Sequence, residues 1–285
     1  MSIYQRRGII QRPDSFTLNR AAPLAHGLVF AGLGNHKGST RYEDSSPLKN
    51  HGTLSGYTGA GNTPGAQWEW NSYLQRYILG SNIGSSDDNV VPTGSFTEIT
   101  AFSIPLNYTI AGWMRVSVLS YMDGSIWNIP SSPIWLSLGA ATNGTPDWST
   151  LRARFYSITA WGAENSFEIV EDGTVSVNTW VHLVGRVAGG VGSLWKNGVQ
   201  QSVSDSFAVA SASARTFLGR TYYNSKPINI ADPCWWNRAL SLSEISALAD
   251  PSNVMLSGLI LPPRRRIFAA SVATGNRRRR VLCTC

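Results

Sequence analysis

The 285-residue sequence is short of charge, of sulfur and of helix-forming stretches, and each shortage removes a class of protein. Three cysteines, Cys234, Cys283 and Cys285, are too few and too unevenly placed for a disulfide framework, so a hydrophobic core must carry the fold. The Cys-x-Cys end is too short for easy mutual bonding and leaves thiols that can ligate a metal or pair with another chain. Charged residues make up only 14% of the chain, and Glu, Lys and Leu are too sparse for long amphipathic helices. No run approaches the ~18 apolar residues of a membrane span. Residues 1–12 hold Arg6, Arg7 and Arg12 but no apolar stretch. A secretory leader is therefore not expected; synthesis in the cytoplasm is, with release by lysis or on a particle.

Several chemistries are also missing. His26, His36, His51 and His182 show neither His-Glu-x-x-His nor close Cys/His pairing, so a zinc site has no support. There is no Gly-x-Ser-x-Gly elbow. The clusters GLGNHKG (32–38) and GAGNTPG (59–65) lie between no strand and helix, and read as turns rather than phosphate cradles.

What the chain does hold is 27 Gly, 14 Pro and 11 Trp, a composition that suits many short strands joined by tight turns. Apolar residues alternate with polar ones over Gln67 to Trp70, Arg76 to Leu79, Thr97 to Ile104, Arg152 to Ile158, Phe167 to Val170 and Trp180 to Val187. Gly27 to Ala31 reads as a short buried strand. Tyr108 to Val118 is the clearest case: Ile110, Gly112, Met114, Val116 and Val118 share one face, and Thr109, Ala111, Trp113, Arg115 and Ser117 the other. Asn197-Gly198, between β-prone flanks, predicts a hairpin, because a type I′ turn needs two positive φ angles that this pair tolerates. Arg215 to Gly219 and Ile228 to Trp236 are the last strands expected. The period then changes: Ser241 and Glu244 form a capping-box pattern that opens a helix to about Ala249, ended by Asp250-Pro251.

The net charge of +7 is confined to one end. Arg264, Arg265, Arg266, Arg277, Arg278, Arg279 and Arg280 supply it, and no acidic residue follows Asp250. Residues 1–263 are left with 17 basic and 17 acidic side chains and no overall field to steer them onto nucleic acid. Organisation follows as an extended arm over 1–24, a body over 25–250 and an Arg-rich arm over 251–285.

Four segments of the body together resemble the laminin G-like, concanavalin A-like jelly-roll family. GLVFAGL with YEDSSPLKNHGTLSG (42–56) is similar to the family's opening strand and turn, and YTIAGWMRV to its central strand. NTWVHLVGRV with GSLWKNGVQ is similar to the next strand and hairpin, and ADPCWWNRALSLSEISAL to the closing strand and helix. The resemblance spans roughly Gly27 to Asp250. It implies an all-β fold, a two-sheet antiparallel sandwich with one short C-terminal helix. Pro233 and Cys234 depart from the plain closing strand, which predicts an edge position or a bulge there.

Candidate sites follow from this frame. Glu168, Glu171 and Asp172 invite a glycosidase reading, but Glu168 and Glu171 fall on opposite faces of any strand, and a surface turn fits better. Rim loops of the family often hold calcium or glycans. Asp44, Ser45 and Asn50 can supply Ca2+ ligands; the alternative, favoured here, is that Asp and Asn bond their own backbone in a turn. Trp113, Trp180 and Trp236 are assigned to packing, whereas Trp127, Trp148 and Trp161, near turn-rich segments, are the candidates for an exposed glycan platform. For the tail, nonspecific nucleic-acid binding and plain disorder are weighed against an anchor. Because Leu259, Ile260, Leu261, Ile267, Phe268 and Val272 interrupt the charges in a manner that suits an acidic protein surface, the anchor is preferred.

The function expected is a non-catalytic virion structural protein of a tailed phage, a capsid-decorating or tail-associated subunit whose lectin-like body binds glycans. Other virion proteins are its expected partners, a trimer the expected assembly, and no cofactor is required. The alternatives are a bacterial carbohydrate-binding or adhesion module and, third, a glycoside hydrolase.

Overall fold

The computed structural model describes residues 5–6, 9–10, 17–33, 41–55, 68–80, 96–116, 124–129, 134–140, 151–158, 166–170, 173–206, 213–218, 228–253 and 256–261. In chain order the strands are β1 (Gln5–Arg6), β2 (Ile9–Ile10), β3 (Thr17–Leu18), β4 (Leu28–Ala31), β5 (Arg41–Tyr42), β6 (Gly52–Ser55), β7 (Trp68–Asn71) and β8 (Arg76–Gly80). There follow β9 (Phe96–Ser103), β10 (Tyr108–Val116), β11 (Gly124–Ile129), β12 (Ile134–Ala140), β13 (Leu151–Ile158) and β14 (Ser166–Val170). The remainder are β15 (Val181–Ala188), β16 (Val191–Lys196), β17 (Val199–Ser206), β18 (Ser213–Leu218), β19 (Ile228–Trp236) and β20 (Ile260–Leu261), with the helix α1 (Leu242–Ala249) before β20.

Two eight-stranded antiparallel sheets face each other. Sheet one runs β17-β16-β15-β10-β19-β8-β7 with β4 also on β19, and sheet two runs β14-β13-β12-β11-β18-β9-β6-β5. Between them lies the main core. Tyr108, Ile110 and Met114 of β10, Leu183 and Val187 of β15 and Trp235 of β19 meet Trp127, Leu136, Leu138, Phe155 and Leu218 of the second sheet. Period-two alternation produces this, since every second side chain of a strand takes one face.

Alternation does not, however, leave the outer face of sheet one wet. All residues of β19 and nearly all of β10 are buried. Ala111, Val184, Trp195, Cys234 and Trp236 are covered by Leu24 and Leu28 from the N-terminal side, Ile245 and Leu248 of α1, and Leu256, Leu259 and Ile260. Segments 17–24 and 256–261, which the sequence assigns to extended arms, therefore pack on the sandwich. They do so because their apolar residues have this second aromatic-lined face to cover.

The departure at Pro233 is a bulge in a central strand, not an edge. The β10–β19 register shifts between Ala111 and Trp113, so that Asp232 and Pro233 are accommodated opposite Gly112. Pro233 brings no N–H to the ladder, and Asp232 takes a positive φ of 48°, so the extra residue is absorbed where no ladder bond is lost. The helix forms as read: the Ser241 hydroxyl accepts from the Glu244 backbone N–H, and the Glu244 carboxylate accepts from the Ser241 N–H at 2.8 Å. The Asn197-Gly198 turn also forms, with φ of 51° and 80°. Among the described residues no helix is long and apolar enough to cross a membrane.

Candidate functional site

Trp127 is not a surface platform. It is fully buried, with its ring edge-on to Phe30 at 5.5 Å and to Trp235 at 5.4 Å, and its indole N–H donates to the Ala111 carbonyl at 3.0 Å. Sequence alone places Trp127 near turn-rich segments, whereas β11 and β12 pair antiparallel and Trp127 occupies a core position on β11. Trp148 and Trp161 lie outside the described residues. So do Glu171, Asp172, Arg264, Arg265, Arg266, Ile267, Phe268, Arg277, Arg278, Arg279, Arg280, Cys283 and Cys285.

Asp44 serves its own turn rather than a cation. One carboxylate oxygen accepts from the backbone N–H of Ala31 at 2.9 Å and of Ser46 at 2.7 Å. The other accepts from the Asn50 N–H at 2.7 Å and the Ser46 hydroxyl at 2.6 Å. Four donors occupy the roughly four lone-pair sites of an ionised carboxylate. Asn50 points its amide N–H at the Val29 carbonyl, 3.2 Å away. The Asp44 oxygens weighed as calcium ligands are thus taken up by protein donors in the turn, and among the described residues no group of three His, Cys, Asp or Glu side chains could hold a metal.

Buried titratable groups gather on the outer side of sheet one. Arg76 pairs with Asp232, both nearly sealed from solvent, and also donates to the Leu74 carbonyl at 2.6 Å and to the Pro251 carbonyl at 3.3 Å. His182 lies under Trp113, ring centroids 5.1 Å apart. Burial holds its pKa down to about 3, against a smaller upward pull from Asp232, while Arg76 adds to the depression. Nearby, Arg115 lies 5.3 Å from the Trp180 ring and donates to Asn229 Oδ1 at 2.9 Å. These groups join the 72–75 turn, the bulge and the segment after α1; their burial gives them a structural role rather than access to a substrate.

Sheet two carries a second row of positions, on the face away from the main core. Tyr42, Leu54, Ile99, Leu218, Trp127, Leu136 and Phe155 all occupy core positions. Their strand neighbours therefore occupy positions on the opposite face. The register joins those neighbours into one row: Arg41–Thr53–Glu98–Phe217–Asn128–Trp135–Tyr156–Glu168. Arg41 and Thr53 at one end are exposed. In the adjoining rows Ser137, which is buried, pairs with the half-buried Arg154, and Gly139 with the half-buried Arg152. With strands spaced about 4.8 Å apart, the positions of Phe217, Asn128, Trp135 and Tyr156 span about 14 Å. Aromatic positions flanked by an amide and carboxylates form the set that sugars require, since a pyranose presents C–H faces to rings and hydroxyls to acceptors. The sequence analysis missed Trp135 and Tyr156 as a pair. Their signal was the alternation in Ile134–Leu138 and Leu151–Phe155, which assigns every second residue to the outer face once both segments are read as paired strands.

The model of the concanavalin A-like lectin/glucanases superfamily matches residues 80–246. A comparison with curated protein sequences returns no match. Among solved structures, the binding domain of Paraclostridial Mosquitocidal Protein 1 is similar at 18% identity and a TM-score of 0.55, over 79% of this chain and 52% of that one. Domain 4 of AbnA, a GH43 extracellular arabinanase from Geobacillus stearothermophilus, in complex with arabinotriose, is similar at 17% identity and a TM-score of 0.53, over 79% and 98%. The botulinum neurotoxin serotype D ligand binding domain in complex with N-acetylneuraminic acid is similar at 13% identity and a TM-score of 0.53, over 79% and 51%. The chain thus spans about half the length of the two toxin structures. At these identities the likeness is one of fold.

Proposed function

This chain belongs to the concanavalin A-like lectin/glucanases superfamily, and from that premise we propose that it is a non-catalytic, lectin-like subunit of a tailed-phage virion. In this reading it decorates the capsid or associates with the tail, as a symmetric homo-oligomer with a trimer expected, and binds glycans on the outer face of sheet two. The observation that carries glycan binding is the row of Phe217, Asn128, Trp135 and Tyr156 across four adjacent strands, bounded by Glu98 and Glu168. Two of the similar structures are complexes with sugars, which supports it. Against hydrolysis, Glu98 and Glu168 lie five strand spacings apart, about 24 Å along the sheet, whereas paired glycosidase carboxylates stand about 5–9.5 Å apart. The concentration of positive charge in the terminal arms supports attachment to other virion proteins.

A glycan array tests the binding, with Trp135→Ala and Tyr156→Ala as controls. A ligand lost in both variants, while their melting stays native, is expected; no ligand, or a ligand insensitive to both, overturns the site. Mass spectrometry of purified particles from the source tests the location, and absence of the chain from them overturns it.

A further inference from the structure

The arms of this protein share a root. Strand β3 pairs antiparallel with β20, Leu18 opposite Ile260 and Thr17 opposite Leu261, and the Asn19 N–H donates to the Leu259 carbonyl at 2.8 Å beyond them. Antiparallel pairing at this register brings the chain in at Thr17 and out at Leu261 side by side. The Asn19 side chain closes the ribbon by donating to the Gly258 carbonyl at 3.1 Å. Leu18, Leu259 and Ile260 pack with Trp195 and Trp236, so the root sits on the outer side of sheet one. That is the side of the sandwich opposite the row on sheet two.

Charge is divided in the same way. Segments 1–16 and 262–285 hold ten of the 24 basic and one of the 17 acidic residues, a side-chain charge of +9, which leaves −2 for residues 17–261. The net charge of the body does not balance that of the arms, which an acidic partner would complement. Arg12 lies five positions before Thr17, and Arg264 three positions after Leu261. At about 3.4 Å per extended residue, the innermost arginines of the two arms can never be more than about 33 Å apart.

We infer that the two arms engage a single acidic protein surface together, from the side of the molecule opposite the carbohydrate row. This rests on the anchoring role in the proposed function and deepens it, by making the anchor bivalent and the molecule two-sided. The interleaved apolar residues, Ile9 and Ile10 in one arm and Ile267, Phe268 and Val272 in the other, favour a protein over nucleic acid, whose phosphates offer charge without apolar pockets beside it, and a lipid surface is an outcome of the test. Joined roots give the second arm a high effective concentration once the first is bound.

The test uses the full chain with three immobilised polyanions: a glutamate–tyrosine copolymer, a DNA duplex, and vesicles of phosphatidylglycerol in phosphatidylcholine. Strongest binding to the copolymer at physiological salt is expected. Binding to none overturns the anchoring reading itself, while stronger binding to DNA or vesicles overturns the choice of partner. Two charge variants, Arg6→Gln/Arg7→Gln/Arg12→Gln and Arg264→Gln/Arg265→Gln/Arg266→Gln, then test bivalency. Each is expected to weaken copolymer binding by about tenfold or more; either variant within threefold of the unaltered chain, with the polymer still bound, overturns joint engagement but not anchoring. Finally, Thr17→Cys/Leu261→Cys in a Cys283→Ser/Cys285→Ser background is expected to crosslink with a short bismaleimide and bind undiminished. Failure to crosslink, or loss of binding on crosslinking, overturns the shared root as the working geometry.

Discussion

The indole N–H of Trp127 on one sheet donates to the carbonyl of Ala111 on the other, at 3.0 Å and out of contact with solvent. The bond crosses the sandwich beside the bulge, where the β10–β19 register shifts. The apolar contacts of the core between the sheets are nondirectional, so a hydrogen bond here helps to fix how the two sheets sit on one another.

Trp127→Phe keeps an aromatic ring in the core but removes the donor and part of the volume. A loss of about 2 kcal/mol is expected in urea unfolding, from an unpaired buried carbonyl and a small cavity. Glycan binding should be unaffected, because the residue faces the core rather than the row.

Asp44 gathers three backbone N–H groups, from Ala31, Ser46 and Asn50, and so ties β4 to the turn that follows β5. Asp44→Ala leaves those donors without an acceptor and is expected to cost about 3 kcal/mol or more by chemical denaturation. Since the carboxylate is filled by protein donors, EGTA should leave the melting temperature of the unaltered protein where it was; a drop of several degrees would restore the calcium reading.

Gly185 on sheet one lies beneath the ring of Phe155 on sheet two, and a Cβ there would come within 2.5 Å of the ring. Gly185→Ala is expected to destabilise by about 2 kcal/mol through overpacking. Adding Phe155→Leu should recover part of the loss, a non-additivity that a double-mutant cycle measures and that residues on unrelated surfaces would not show.

His182 and Glu244 contribute to the acid side of the stability profile in separate windows. Burial depresses His182 from 6.5 to about 3, so between those values the unfolded chain binds a proton that the fold excludes, and stability falls as pH drops through that window. The loss between pH 6.5 and 4.5 should approach 2 kcal/mol, at about 1.4 kcal/mol per pH unit once the unfolded form is charged. Glu244, held down from 4.5 to about 2 chiefly by its bond to Arg238, gives up its contribution only below pH 4.5. Urea titrations across pH should therefore show a slope between 6.5 and 4.5 that His182→Phe flattens, while Arg238→Gln flattens only the slope below it. An unchanged upper slope in His182→Phe would mean that the imidazole is not sealed as described.

Parts of this molecule follow from local residue order alone. The alternation of Tyr108–Val116, the Asn197-Gly198 turn, the capping box at Ser241 and the class of fold all depend on neighbours a few positions apart, where dihedral preference and period-two burial leave little choice. Which tryptophans are core could not be read that way. Trp127 lies on β11 and Trp135 on β12; assigning Trp127 to the core and the Trp135 position to the other face required the β11–β12 register and the bulge between Ser125 and Trp127. The second covered face, the ion pair of Arg76 with Asp232 across 156 residues, the eight-position row and the shared root of the arms arise from contacts between distant segments. Only the closed sandwich sets those distances, because strand pairing and layer packing are cooperative choices of the whole chain and leave no trace in any one segment.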